Sequence, residues 1–197
     1  MTTANTATKT ATSYHPLLRW IHWATAILFI AATLIGFYCG LQQPGTSPRR
    51  ELLEVHKSLG LTLFFLAILR LWVRAATKVP PEPGSSSPLV LAAARLNHWT
   101  LYFILFLMPI TGYLASAAGG YSLRYFWTFS WPRLVDKNQA LAHFAITAHD
   151  VVAYLVYAAV GLHVAATFWH ILVKKDETLS RMWPSAPAAG SIGDRQG

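Results

Sequence analysis

Four long apolar stretches alternate with short polar segments along the chain. They run over Leu17–Leu41, Leu52–Arg74, Leu96–Ala118 and Ala142–Val173. A helix needs about 20 apolar residues to cross about 30 Å of hydrocarbon, and each stretch is long enough. The breaks between them are sharp. The first stretch ends at QQPGTSP and the second leads into PPEPGSSSP, sequences that no helix crosses. The third stops at Gly119-Gly120 and contains Pro109, where a kink is expected. The fourth exceeds one bilayer crossing and ends at Lys174-Lys175. The pattern predicts an all-α, integral membrane four-helix bundle over residues 15–184. Thr/Ala-rich residues 1–14 are expected to be a disordered tail, and residues 185–197 a flexible one.

Composition agrees with lipid as the solvent. Hydrophobic residues make up 54% of the 197 and charged ones only 12%, about half the share usual in soluble domains. The first stretch is too long for a signal-peptide core and lacks a small-residue cleavage site, so it is expected to remain as a helix. The net charge of +8 fits membrane topology better than nucleic-acid binding, because the basic residues form no single cluster. Lys9, Arg19, Arg70, Arg74, Lys78, Arg95, Lys174, Lys175, Arg181 and Arg195 fall on one side. Arg49, Arg50, Lys57, Arg124, Arg133 and Lys137 fall on the other. The first set is larger, so both termini are expected in the cytoplasm. Between helices three and four, YSLRYFWTFSWPRLVDKNQ carries Tyr121, Tyr125, Phe126, Trp127, Phe129 and Trp131, as an interfacial aromatic belt would. The single cysteine, Cys39, excludes an internal disulfide, a Cys-rich zinc site and a protein-held iron–sulfur cluster. Without a Cys-x-x-Cys-His motif, covalent c-type haem is excluded too.

The histidines carry the chemistry. A polar ring inside an apolar run is costly and calls for a function. His149 and His163 are fourteen residues apart, nearly four helical turns, so they share a face and differ in height by about 21 Å. Each then needs a partner at its own level. His22 lies just inside helix one, level with His163 near the cytoplasm. His56 opens helix two, level with His149 near the periplasm. Neutral imidazole is a normal axial ligand of haem iron, so the pairs His22/His163 and His56/His149 predict two non-covalent haems b stacked across the bilayer. The alternatives are histidines that merely bond neighbouring helices, or a zinc or di-iron centre, for which no carboxylates accompany the rings. Three other positions fit the haem geometry. Gly60 leaves an open face one turn from His56, and Gly36 stands fourteen residues from His22 at the other haem's level. Arg70, fourteen beyond His56, would pair with haem propionates.

These residues resemble a known family. R-W-I-H-W opens helix one, V-H-K-S-L-G opens helix two, M-P-I-T-G lies in helix three and H-x13-H in helix four. The D-E-T-L-x-R-M-W-P ending completes the pattern. Together they resemble the bacterial cytochrome b561 family over about residues 14–184. The resemblance implies a multi-pass inner-membrane cytochrome whose iron ligands fall on His22, His56, His149 and His163. It implies electron transfer between a donor and membrane quinone, within or beside the respiratory chain. One branch of the family oxidises superoxide at the periplasmic face and reduces ubiquinone. Others serve as membrane anchors and electron conduits for separate dehydrogenases.

His170, one heptad past His163, reads as a quinone contact or proton donor, or as an interfacial histidine. His98, at the expected start of helix three, reads as interfacial near the same pocket. His15 and His143 read as surface residues, and no role attaches to Asp150. The expected partners are membrane lipid, quinone, and superoxide or a periplasmic redox protein.

Overall fold

The computed structural model describes residues 13–80 and 87–184. The expected tails over 1–14 and 185–197, and the linker between Pro80 and Pro88, lie largely or wholly outside the described residues. Four helices dominate: α1 (Pro16–Leu41), α2 (Ser47–Ala76), α3 (Pro88–Ala118) and α4 (Gln139–Trp169). Between α3 and α4 a small antiparallel hairpin joins β1 (Arg124–Tyr125) to β2 (Phe129–Ser130). A π-helical turn (His170–Lys174) and a short 3-10 turn (Ser180–Met182) follow α4.

Each helix has its start built into the sequence. α1, α2 and α3 carry proline in their first two positions, where the missing N–H costs nothing. The Ser87 side chain accepts from the Val90 N–H and caps α3. Asn138 does the same for α4 through the Leu141 N–H, at 3.0 Å. α3 therefore begins well before Leu96, where its apolar run begins, and His98 sits inside the helix rather than at its start. The helix continues through Pro109. All four helices are long and apolar enough to cross a membrane. Their exposed surface carries Trp20, Leu34, Trp72, Phe103, Tyr154 and Leu162, as lipid contact requires.

α1 packs on α2 and α3 on α4, and the two pairs meet chiefly where α2 lies along α3. The core is correspondingly divided. Ile104 meets Val152, Val156 and Ala159 between α3 and α4. Leu18, Ile21 and Val73 gather at one end of α1 and α2, and Ala32, Leu59 and Leu63 towards the other, with Phe126 of the hairpin against them. Phe126 and Trp127 take left-handed backbone, φ 41° and 61°, a conformation costly for aromatic residues. The buried Ser58 hydroxyl holds the turn by accepting from the Phe126 N–H at 2.9 Å. At the other end the chain folds back on itself. Arg19 Nη1 donates to the Trp183 carbonyl (3.1 Å), Trp23 Nε1 to that of Met182 (3.0 Å), and the Tyr14 N–H to that of Arg181 (3.2 Å).

Candidate functional site

The histidines singled out by spacing meet across the seam between the two helix pairs. His22 of α1 faces His163 of α4 with ring centres 6.3 Å apart. His56 of α2 faces His149 of α4 at 6.0 Å. A transition metal binds an imidazole nitrogen at about 2 Å, so two rings facing across one metal stand with centres about 6 Å apart. Both separations suit one iron between each pair. Among the described residues, no three His, Cys, Asp or Glu side chains converge on a common point. Two facing imidazoles at each level, with no chelating cluster among the described residues, are an arrangement that would suit a macrocycle bringing its own equatorial nitrogens.

At the His56/His149 level both imidazoles are oriented by backbone. His56 Nδ1 lies 2.9 Å from the Ala32 carbonyl oxygen, and His149 Nδ1 lies 3.0 Å from that of Met108. A carbonyl can only accept, so each Nδ1 carries the proton and Nε2 keeps the lone pair that binds metal. Thr111 Oγ1 stands 3.0 Å from His149 Nδ1 as a second acceptor, its own proton directed to the Leu107 and Met108 carbonyls. The same device appears twice. One turn beyond Ala32 is Gly36, and one turn beyond Met108 is Gly112. A Cβ on Gly36 would come within 2.8 Å of His56 Cε1, and one on Gly112 within 3.2 Å of His149 Cε1. At Gly36 a side chain would force the ring off its carbonyl, and at Gly112 it would crowd the ring. Height alone singles out Gly36; spacing does not single out Gly112 or Thr111, although both stand in the M-P-I-T-G segment. A Cβ on Gly60 would meet nothing within 4 Å, so that face stays open.

The His22/His163 level is built differently. His22 Nδ1 is buried with no hydrogen-bond partner among the described residues. Arg70 lies close enough for its charge to act on both imidazoles. Its guanidinium carbon stands 5.3 Å from the centre of the Tyr102 ring, a cation–π contact. Arg70 Nε is likewise buried and unpartnered among the described residues. A donor left over in apolar surroundings is what a carboxylate-bearing cofactor would satisfy. His98 contributes a further ring, 5.7 Å from that of His163. The two levels together fit haem: facing imidazoles, open space at Gly60, and a buried Arg70 Nε with no partner among the described residues.

His170 lies at the same end as His22 and His163 but is held by other contacts. Its Nδ1 lies 2.6 Å from Asp176 Oδ2 and 3.2 Å from Thr178 Oγ1. Thr178 also donates its N–H to Asp176 Oδ1 at 2.9 Å. Burial alone would raise the Asp176 carboxyl, but hydrogen bonds from Thr178 and His170 outweigh it and bring it down to about 2. This carboxylate is therefore ionised under all physiological conditions. It fixes the His170 proton on Nδ1, leaving Nε2 for another partner.

Comparison with known proteins follows the same lines. The family described as prokaryotic cytochrome b561 matches residues 13–185. "Cytochrome b561 homolog 2" of Escherichia coli (strain K12) is 30% identical over 175 residues, covering 89% of this chain and 93% of that protein. "Probable superoxide oxidase CybB" of Yersinia pestis is 29% identical over 167 residues, covering 83% of this chain and 92% of its own. "Cytochrome b561 homolog 1" of Escherichia coli (strain K12) is 28% identical over 174 residues, covering 84% and 93%.

Proposed function

The chain belongs to the prokaryotic cytochrome b561 family, and from that premise we propose that it holds two haems b by bis-histidine ligation and passes electrons from a periplasmic donor to membrane quinone. Membership makes it a multi-pass bacterial inner-membrane protein and a b-type cytochrome of electron transfer. The observation that carries the finer reading is the pair of imidazole crossings, 6.3 and 6.0 Å between ring centres. His22 and His163 would hold one haem on the cytoplasmic side, His56 and His149 the other on the periplasmic side. The excess of basic residues at the end bearing the termini supports that orientation.

Haem, when bound, supplies one-electron chemistry at each level. The residues position it. Ala32 and Met108 carbonyls set the His56 and His149 rings, Gly36 and Gly112 admit them, and Arg70 offers its guanidinium to propionates. At the cytoplasmic end His170 presents Nε2 for a quinone oxygen. Superoxide is the preferred donor, supported by the similarity to a probable superoxide oxidase. Arg49, Arg50, Arg124, Arg133 and Lys137 favour approach of an anion, while Lys57 is engaged by Glu54.

Detergent-purified protein reduced with dithionite is expected to show a low-spin b-type spectrum with two haems per chain, all extractable into acidic acetone. One haem per chain, or none, would defeat the architecture. Rapid mixing with superoxide then separates direct oxidation from service as a conduit for another redox protein: in the second case the haems stay oxidised until that protein is added.

Gly36→Ala is expected to lower haem content at the periplasmic site more than Gly112→Ala, because its added Cβ would stand closer to the ring it displaces, 2.8 against 3.2 Å. Haem-to-protein ratios on the two variants check this. Equal, full occupancy would show that both rings can move aside.

A further inference from the structure

We propose that the outer face of α4 is the seam of a parallel homodimer, in which Asp150 of each copy accepts a hydrogen bond from Tyr154 of the other. The inference does not depend on what the facing imidazoles hold.

Spacing defines the face. His143, Thr147, Asp150, Tyr154 and Tyr157 recur at alternating intervals of four and three, and Gly161, Val164 and Phe168 continue the series. All eight are exposed. They run down the side of α4 opposite its buried Ala145, Val152, Val156 and Ala159. A repeat of about 3.5 residues keeps two helices in contact along a supercoil. A face turned only to lipid requires no such period.

The chemistry of this face is wrong for lipid. The outer faces of the other helices present Ile27 and Leu34 (α1), Ile68 and Leu69 (α2), and Phe103 and Ile110 (α3). On α4 the outer face carries a carboxyl and two phenols, inside a helix long and apolar enough to cross a membrane. Tyr154 and Tyr157 are 74% and 46% exposed, and they lie between the levels of His149 and His163. An interfacial belt would place tyrosine at the membrane surfaces instead. Asp150, Tyr154 and Tyr157 make no side-chain hydrogen bond among the described residues. Hydrocarbon supplies no partner, so polar groups left facing it are costly.

A second copy supplies the partners. Two copies inserted with one topology set their α4 helices parallel, and equal residues meet at equal depth. In knobs-into-holes packing about this seam, Asp150 enters a hole bordered by the partner's Thr147, the partner's Asp150 and the partner's Tyr154. The Tyr154 hydroxyl donates and the Asp150 carboxyl accepts, and the two-fold axis makes the bond twice. One face thus holds donor and acceptor together, as an isologous interface requires. Further along, a Cβ added to Gly161 would meet nothing within 4 Å, so the two backbones can close on each other there.

Cysteine crosslinking in native membranes tests the face. Thr147→Cys, Tyr157→Cys and Gly161→Cys are each expected to give a disulfide-linked dimer on mild oxidation. Leu162→Cys and Phe103→Cys, exposed but off the seam, are expected to stay monomeric, as is the unaltered chain with its buried Cys39. Links formed equally on and off the seam, or from no position, would overturn the dimer. A link to a protein of another mass would give the face to a different partner and overturn it too. Energy transfer between labelled copies in vesicles, followed as lipid is added, then tests the bond. Asp150→Leu and Tyr154→Phe should each weaken association about tenfold. Association unmoved by both would overturn the assigned hydrogen bond.

Discussion

Replacing His56 and His149 together with alanine should lower bound haem from two per chain to one, while the spectrum of the remaining haem stays nearly unchanged. The two rings face each other across the seam, so their removal takes both axial ligands from one level and none from the other. Independence of the levels follows from the height difference of about 21 Å between His149 and His163 along α4. The Ala32 and Met108 carbonyls lose their imidazole donors at the same time. Quantitation by pyridine haemochrome on purified double variants is the measurement, with His22→Ala/His163→Ala as its mirror. If instead His22 and His56 proved to act as one unit, with the doubles above each losing both haems, the pairing across the seam would be wrong.

The second large effect concerns the exit of electrons. His170→Ala should slow reoxidation of the reduced protein by a short-chain ubiquinone by roughly a hundredfold, the lower end of what loss of a positioned proton donor costs. Quinone reduction needs both a hydrogen-bond donor at the carbonyl oxygen and protons, and imidazole supplies either. Asp176 and Thr178 hold the His170 ring by Nδ1, so the other nitrogen has a defined direction. Haem spectra should not change, because His170 belongs to neither crossing. Stopped-flow traces at several quinone concentrations separate weakened binding from a slower transfer. An unaltered rate would move the quinone site elsewhere, most directly to the aromatic hairpin at the opposite end. Loss of a haem would mean that His170, and not His163, is the ligand.

Much of this architecture is legible before any coordinates. Apolar run length alone marks four spans, and a fourteen-residue interval on a helix sets two rings on one face by simple rotation. His22 and His56 then find their levels because successive helices alternate direction. Other features left no mark that spacing could reveal. The acceptors for His56 and His149 are main-chain carbonyls of Ala32 and Met108, and any residue supplies a carbonyl. Gly112 is visible only as a glycine until the ring it admits is known to lie above it. His98 meets His163 because α3 begins at Pro88 under the Ser87 cap, well before its apolar run starts. The contacts of His170 with Asp176 and Thr178 come from residues beyond the π-helical turn that starts at His170, which a heptad count back to His163 does not reach. The fold-back of Met182 and Trp183 onto Arg19 and Trp23 joins the two ends of the chain, and such long-range contacts follow no local pattern.

The division of the bundle into two hairpins bears on how the protein is made and how long it lasts. Each hairpin can enter the membrane and close on its own buried surface, α1 against α2 and α3 against α4. At both levels a pair of imidazole rings faces across the seam. Two haems held as proposed would add four coordinate bonds across the seam and would offset the cost of burying Arg70 and the unpartnered His22 nitrogen. Apart from the rings, the halves are joined by the α2–α3 contact, by Phe29 against the α3–α4 core, and by the fold-back of Met182 and Trp183 onto Trp23 and Arg19. Haem held as proposed would stabilise the folded bundle by mass action, so the haem-free chain would be the less stable form.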